Sequence, residues 1–493
     1  VLAASCFLLA AHEQTIGVAG ADDAYYYLTV ARNAAHGHVS SFDGLSATNG
    51  YHPLWAILLT PLFLLVHDKY VALTIVMICG CILHGITLHV IWRMHVCHCS
   101  KAAACFATGF FALFCVVPAW YIGEAPLSMA LFALFVDRFL LTALNTLQAH
   151  PARSSIVLGL CASAAVLSRL DAIFPVLGSL VWLWLARGIH ARASATAALA
   201  TMTLFVGAYV ASNVLVFGHA VPISGVLKSS FPQVSLINYP LESPKWYRLL
   251  LPFLVALAFG WHFAAPRARA ARSELIDRPL AVIAAGTLVF FTYEILFQQD
   301  ADFGLYSWHF AVSTCGAAIL AGRLFDALAT DLRVRSAAGA LLLGGALHWF
   351  LYRYAVATHV DSKLADAHSV GCWIDKNLPA DAVIAATDPG MVAYFGDRKT
   401  ISLDGLINDF HYQDALRGGR IVPYLESRHV THLMIRDARA VDPTLSDFEL
   451  VLPSRRYPGA GASLVVLLSS RVYTAPNHTS ALFAWTPRPR THR

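Results

Sequence analysis

Apolar residues come in long runs over the first 355 positions and in short alternating runs after about residue 360. The long runs fall at 1–11, 70–92, 102–121, 125–146, 154–169, 172–187, 195–217, 249–265, 279–298, 306–322 and 336–355. Most approach the roughly 20 residues that a helix needs to cross a bilayer. They predict about eleven spans. A further stretch at 52–66, "HPLWAILLTPLFLLV", contains two prolines and is short for a span. It suits an interfacial or re-entrant helix. Beyond 360 the period changes. "DAVIAATDPGMVAYFGDRKTISLDGLIND" alternates short β-branched runs with turn residues, and "THLMIRD" and "SLVVLLSS" read as further strands. The pattern predicts a membrane module over 1–358 and an α/β layer domain over 359–493. The opening "VLAASCFLLAA" reads as the tail of a longer first helix.

Composition agrees. The chain is 57% hydrophobic and 13% charged, with a mean hydropathy of +0.58, where a soluble domain carries about 25% charged residues. A polytopic α-helical membrane protein is expected. The net charge of +5 is no argument for a nucleic-acid partner; where the basic residues sit is what matters. If 52–66 does not cross, alternate loops hold Arg93 and Lys101, Arg153, Arg187 and Arg192, then Arg267, Arg269, Arg272 and Arg278, then Arg323, Arg333 and Arg335. The positive-inside rule makes that face cytoplasmic. The loop at 12–69, the loop at 218–248 and the tail are then outside. Most of the ten cysteines lie in apolar runs, and the tail holds only Cys372, so no disulfide framework is expected there. "HVCHC" at 95–99 gathers soft ligands in a short basic loop without a zinc spacing.

The polar residues that remain collect on the outer side. Asp22 and Asp23 stand where the first helix leaves the membrane, a costly place for carboxylates. One of them suits the first turn of a helix over "AYYYLTVARNAA", but capping does not account for both. The loop that follows, with Asp43-Gly44 and Asn49-Gly50 as turn signals, folds back and brings His52 and Trp55 toward the aspartates. "WYIGEAPL" delivers Glu124, "LSRLDAIF" delivers Arg169 and Asp171, and "FGHAVPISGVLKSS" delivers Lys228. "DADFGLYSWHF" adds Tyr306, Trp308 and His309. Each has a plain reading too: a self-paired Arg169 and Asp171, an interfacial His52, an aromatic belt at 306–309. Together they are the equipment to deprotonate a hydroxyl and to bind a phosphate.

"DDAYYYLTVARNAAHGHVSSFDGLSATNGYHPLW" resembles the first outer loop of bacterial GT-C glycosyltransferases similar to mycobacterial arabinofuranosyltransferases. "YIGEAPL" is similar to that family's Gly-Met-Glu-Thr stretch, with Ile122 and Gly123 where Gly-Met stands. "LSRLDAIF" is similar to its Arg-Pro-Asp-Gly stretch, with Leu170 in place of proline, and "FGHAVPISGVLK" to a recurring Phe-Gly…Pro-x-Ser-Gly…Lys element. The resemblance implies a GT-C fold in a bacterial inner membrane, with the active site and the tail extracytoplasmic. It implies inverting transfer of a sugar from a polyprenyl-phosphate donor to a glycan, lipid or protein acceptor. Asp22 or Asp23 is then the general base, and Tyr26, His52, Glu124, Arg169, Asp171, Lys228, Tyr306, Trp308 and His309 are substrate-binding candidates. Carboxylates in this number also suit a divalent cation. A transporter or lipid-linked glycan flippase is the competing class; the chain shows no inverted repeat of the kind such folds carry.

Overall fold

The computed structural model describes residues 22–116, 122–144, 151–186, 188–234, 247–264, 271–297, 307–329, 331–358, 362–453 and 461–486. They form two compact units. Ile78–Ser212 and Ser229–Ala355 make one; the described residues before Ile78, Asn213–Lys228 and those from Val356 onward make the other. A division at 358/359 sorts the chain by the kind of segment. Packing groups the first loop with the α/β segment.

The first unit is helical. Among the described residues, five helices are long and apolar enough to cross a membrane by length and composition: Lys69–His98, Ala125–Ala143, Ile189–Phe217, Leu275–Phe297 and Trp308–Leu328. Shorter apolar helices cover Lys101–Cys115, Arg153–Ser168, Leu170–Leu185 and Leu250–Ala264, and a 27-residue helix covers Leu332–Thr358. The segment expected at 1–11 lies outside the described residues. These helices are apolar outside as well as inside: Leu204, Phe205, Trp261 and Leu343 are exposed. A helix facing water would be polar there. Inside, Phe132, Phe135 and Phe139 stack in a buried row. Small residues let backbones close up: a Cβ on Gly286 would lie 2.4 Å from the Pro175 Cα.

The second unit opens with α1 (Asp22–Ala35), which carries both aspartates in its first turn and Arg32 in its last. That distribution suits the helix dipole. The loop after it is tied back by the Asn33 side-chain amide, which donates to the Ser41 and Phe42 carbonyls. Helix α2 (Pro53–Leu65) starts on a proline, whose missing N–H is no loss at that position. At about 1.5 Å per residue its 13 residues fall short of a bilayer.

The tail follows as α3 (Ser362–Asn377), β1 (Val383–Ala386), α4 (Gly390–Gly396), β2 (Lys399–Ser402), α5 (Phe410–Arg417), α6 (Ile421–Ser427) and β3 (His432–Ile435). Four more strands complete it: β4 (Asp447–Pro453), β5 (Gly461–Leu467), β6 (Arg471–Thr474) and β7 (Ala481–Ala484). The main sheet runs β2-β1-β3-β7-β6, with β1 parallel to β2 and β3, and β7 antiparallel to β3 and β6. All four residues of β1 are buried, as befits a strand covered on both faces. Ile401, Leu425, Leu433, Ile435 and Phe483 fill the core. The β4–β5 ladder is separate.

Candidate functional site

Helices α1 and α4 run alongside each other, and each end of α4 meets an opposite charge. The Asp22 carboxylate accepts the main-chain N–H of Gly390 and of Met391, both at 2.9 Å, at the start of α4. Near its end, Arg32 donates to the Tyr394 and Ala393 carbonyls at 2.9 and 3.1 Å. The approach is close: a Cβ on Gly390 would fall 2.2 Å from the Asp22 carbonyl oxygen. The three tyrosines seat this contact. Tyr25 is fully buried against Tyr394 and Phe395. The Tyr26 hydroxyl donates to Asp404 Oδ2 at 3.2 Å, and the Tyr27 hydroxyl accepts the His52 N–H. Burial, followed by the Asp404 charge, holds the Tyr26 phenol well above its ordinary range, so it stays a donor.

Charged residues from the tail surround the same spot. Asp388, Asp404 and Arg436 follow the carboxyl ends of β1, β2 and β3. Arg436 Nη1 donates to Asp388 Oδ2 at 3.0 Å, and Asp388 holds a left-handed backbone with φ of 46°. Asp404 also accepts from the Ser402 hydroxyl. Burial pushes the Asp22 carboxyl from 3.8 up to about 8; Arg436 pulls it down, Asp388 pushes it further up, and the Met391 and Gly390 N–H groups favour the ionised form. A carboxyl titrating near neutral pH is what a general base needs. Reading the tail as a mere α/β layer missed Asp388, Asp404 and Arg436. The signal was present: "TDPG", "SLDG" and "MIRD" each put charge directly after a short apolar run, where open parallel sheets bind ligands.

His52 sits before α2 without a side-chain cap bond. Asn49, from the predicted turn, donates to Asn213 Oδ1 at 3.2 Å and accepts the Ile223 N–H at 2.9 Å. Lys228 ends the short helix Ile223–Lys228 and is half-buried. Asp23 is half-buried beside Asp22.

The helical unit holds a second cluster. Arg169 donates through Nη1 to Glu124 Oε1, through Nε to Asp171 Oδ1 at 3.0 Å, and through Nη2 to the His309 carbonyl at 3.1 Å. Glu124 and Arg169 are buried, at 6% and 4% exposure. Two carboxylates face one guanidinium, so the cluster carries no surplus positive charge. Asp171 Oδ2 is buried with no hydrogen-bond partner among the described residues. Trp308 and His309 lie half-buried on the turn Ser307–Phe310. Tyr306 lies outside the described residues.

Among the described residues, no group of three or more His, Cys, Asp and Glu side chains is placed to hold a metal ion. In the "HVCHC" stretch both His95 ring nitrogens face main-chain carbonyls, of Ile91 and Ile319.

A domain of unknown function, DUF8728, matches residues 355–479. No curated protein sequence matches the chain. Solved structures do. The crystal structure of ArnT from Cupriavidus metallidurans bound to undecaprenyl phosphate is 12% identical, with a TM-score of 0.57 over 98% of this chain and 97% of that one. Its apo state is 14% identical, with a TM-score of 0.53 over 92% and 94%. The Archaeoglobus fulgidus oligosaccharyltransferase, crystallised with Zn and sulfate, is 12% identical, with a TM-score of 0.50. The match covers 85% of this chain, which spans 64% of the oligosaccharyltransferase.

Proposed function

We infer function from the fold: the chain has the GT-C fold, matching ArnT over 98% of its length. We propose that it is a membrane glycosyltransferase that takes a sugar from a polyprenyl-phosphate donor at the extracytoplasmic face of a bacterial inner membrane. The observation that carries this reading is Asp22, a carboxylate in the first loop, fixed by two main-chain N–H groups and raised in proton affinity by burial. The ArnT structure bound to undecaprenyl phosphate supports a lipid-phosphate donor.

In the proposed reaction Asp22 takes the proton of an acceptor hydroxyl. The freed oxygen attacks the anomeric carbon from the face opposite the phosphate. The carbon–oxygen bond to the phosphate breaks, its electron pair leaves with the polyprenyl phosphate, and the configuration inverts. Its two N–H contacts leave each Asp22 oxygen with a lone pair for the acceptor. Asp23, Tyr26 and His52 shape the acceptor side of the loop. Lys228 offsets the charge that grows on the leaving phosphate, help of the kind often worth several kcal/mol. Arg169 holds Glu124 and Asp171 in place, and Asp171 Oδ2 is available to a sugar hydroxyl. Trp308, His309 and Tyr306 stay candidates for sugar stacking.

The test is reconstitution of the full chain in vesicles with a polyprenyl-phosphate sugar and candidate acceptors. Glycosylated acceptor and free polyprenyl phosphate should appear together. Movement of intact donor across the membrane without its cleavage would instead establish the transporter reading.

A further inference from the structure

The carboxyl edge of the sheet holds a cation that the protein leaves half used. Arg436 directly follows β3. Its main-chain N–H donates to Thr387 Oγ1 at 2.9 Å, which ties the end of β3 to the turn after β1. Nη1 meets Asp388. The side chain is only 11% exposed, yet Nε and Nη2 have no hydrogen-bond partner among the described residues. These two nitrogens form the lateral fork of a guanidinium, the edge that matches two oxygens of a phosphate or carboxylate. Buried donors are ordinarily matched, and leaving them unmatched is costly.

Two further observations place a ligand here. Strand order reverses between β1 and β3, because β2 lies on the far side of β1; such a reversal opens a crevice at the carboxyl ends of parallel strands. Asp388, the residue that fixes Nη1, holds a backbone region that non-glycine residues rarely occupy, a strain that collects at ligand sites.

We infer that the crevice at the ends of β1 and β3 is an oxyanion subsite, in which the Nε and Nη2 edge of Arg436 takes two oxygens of one substrate. This rests on the glycosyltransferase reading for the kind of substrate. Asp22 and Asp388 flank the arginine, so a singly charged group suits the crevice better than a dianion. A donor phosphodiester and an acceptor carboxylate both meet that description.

The test measures binding to the purified full chain in detergent, without turnover. The probes are undecaprenyl phosphate, undecaprenol, inorganic phosphate and glucuronate, at about pH 5, where each phosphate carries one charge. In Arg436→Met, affinity for at least one anionic probe should fall about tenfold or more, the scale of one lost charge-assisted contact, while undecaprenol binds as before. Arg436→Lys keeps the charge but loses the fork, and should lie between. A fall confined to undecaprenyl phosphate assigns the oxyanion to the donor, and one confined to glucuronate assigns it to the acceptor. Unchanged affinity for every anionic probe in a folded Arg436→Met chain overturns the inference. So does a fall that undecaprenol shares in both variants, which would make Arg436 a structural fitting. A chain that binds anions through Arg436 and transfers no sugar would keep the subsite and sink the glycosyltransferase reading. Transfer with Arg436-independent binding would do the reverse.

Discussion

Two largely enclosed arginines mark the two units, and they are employed in opposite ways. Arg169, in the helical unit, spends its Nε, Nη1 and Nη2 on Asp171, Glu124 and the His309 carbonyl. Arg436, in the other unit, commits Nη1 to Asp388 and leaves Nε and Nη2 unmatched among the described residues. A saturated guanidinium is a strut: it fixes the carboxylates and has little to offer a ligand. An unsaturated one is a socket. The same contrast separates the carboxylates. Glu124 is paired with the Arg169 guanidinium, whereas Asp22 sits where burial and Asp388 favour its protonated form. Chemistry is therefore expected at the loop and sheet edge, and rigidity at the Arg169 cluster.

The largest effect should come from the carboxylate of the first loop. Asp22→Asn keeps shape and removes basicity, so transfer should fall by about 10² to 10⁴, the range for a lost general base. Donor binding should persist. Asp23→Asn should cost far less. Loss of transfer in Asp23→Asn with activity retained in Asp22→Asn would move the base by one residue; near-normal turnover in the double variant would end the mechanism.

Next in size is the strut. Arg169→Met leaves Glu124 and Asp171 buried without their counter-charge, and breaking such a pair costs about 3 to 5 kcal/mol. The thermal midpoint in detergent should drop accordingly, while any folded fraction retains undecaprenyl phosphate binding. A midpoint like the parent's, with donor binding lost, would turn Arg169 into a ligand residue and dissolve the contrast with Arg436.

The legibility of these two places differs for a physical reason. Long apolar runs and charge bias act over many residues, so the helices and the strands at "THLMIRD" and "SLVVLLSS" could be read directly. The pairing of Arg169 with Asp171 is local, two residues apart, and was one of the two readings the residues allowed. The contacts of Asp22 span 368 and 369 positions, a separation that no local pattern encodes. The tyrosine triplet likewise gives no sign of its three separate partners: Tyr25 packs on α4, Tyr26 bonds Asp404 and Tyr27 meets the main chain at His52. Only the charge after each short strand hinted that the tail contributes to the candidate site.

Gly390 tests whether the seating of Asp22 matters apart from its charge. Alanine there would put a methyl 2.2 Å from the Asp22 carbonyl oxygen. Backbone on both sides must shift, at roughly 1 to 3 kcal/mol, the usual toll of overpacking. Gly390→Ala should lower the thermal midpoint modestly and slow transfer more than a stability loss of that size accounts for. Gly260→Ala, where nothing among the described residues lies within 4 Å, is the control. Equal effects at both glycines would show that the close approach has no bearing on the site.

The smallest effect, and the one that reads the loop's electrostatics most directly, is a shift in pH profile. Asp22 works as a base only when ionised, and burial places its titration at about 8 against an ordinary 3.8. Transfer should therefore climb with pH and level off once that carboxyl has lost its proton. Folding feels the same group with the opposite sign. Because the folded chain holds this proton more tightly than the unfolded one, Asp22 costs stability progressively as pH rises from about 4 to about 8, then no further. Asp388 raises the Asp22 carboxyl and Arg436 lowers it, so the two variants must move the rate limb in opposite directions. Asp388→Asn should carry it to lower pH, and Arg436→Met to higher pH. Asp22→Asn should abolish the limb along with the activity. A limb that stays in place in both Asp388→Asn and Arg436→Met would mean that the titrating base is not Asp22. A limb that moves in Arg436→Met while anion binding stays intact would leave Arg436 acting on the base alone.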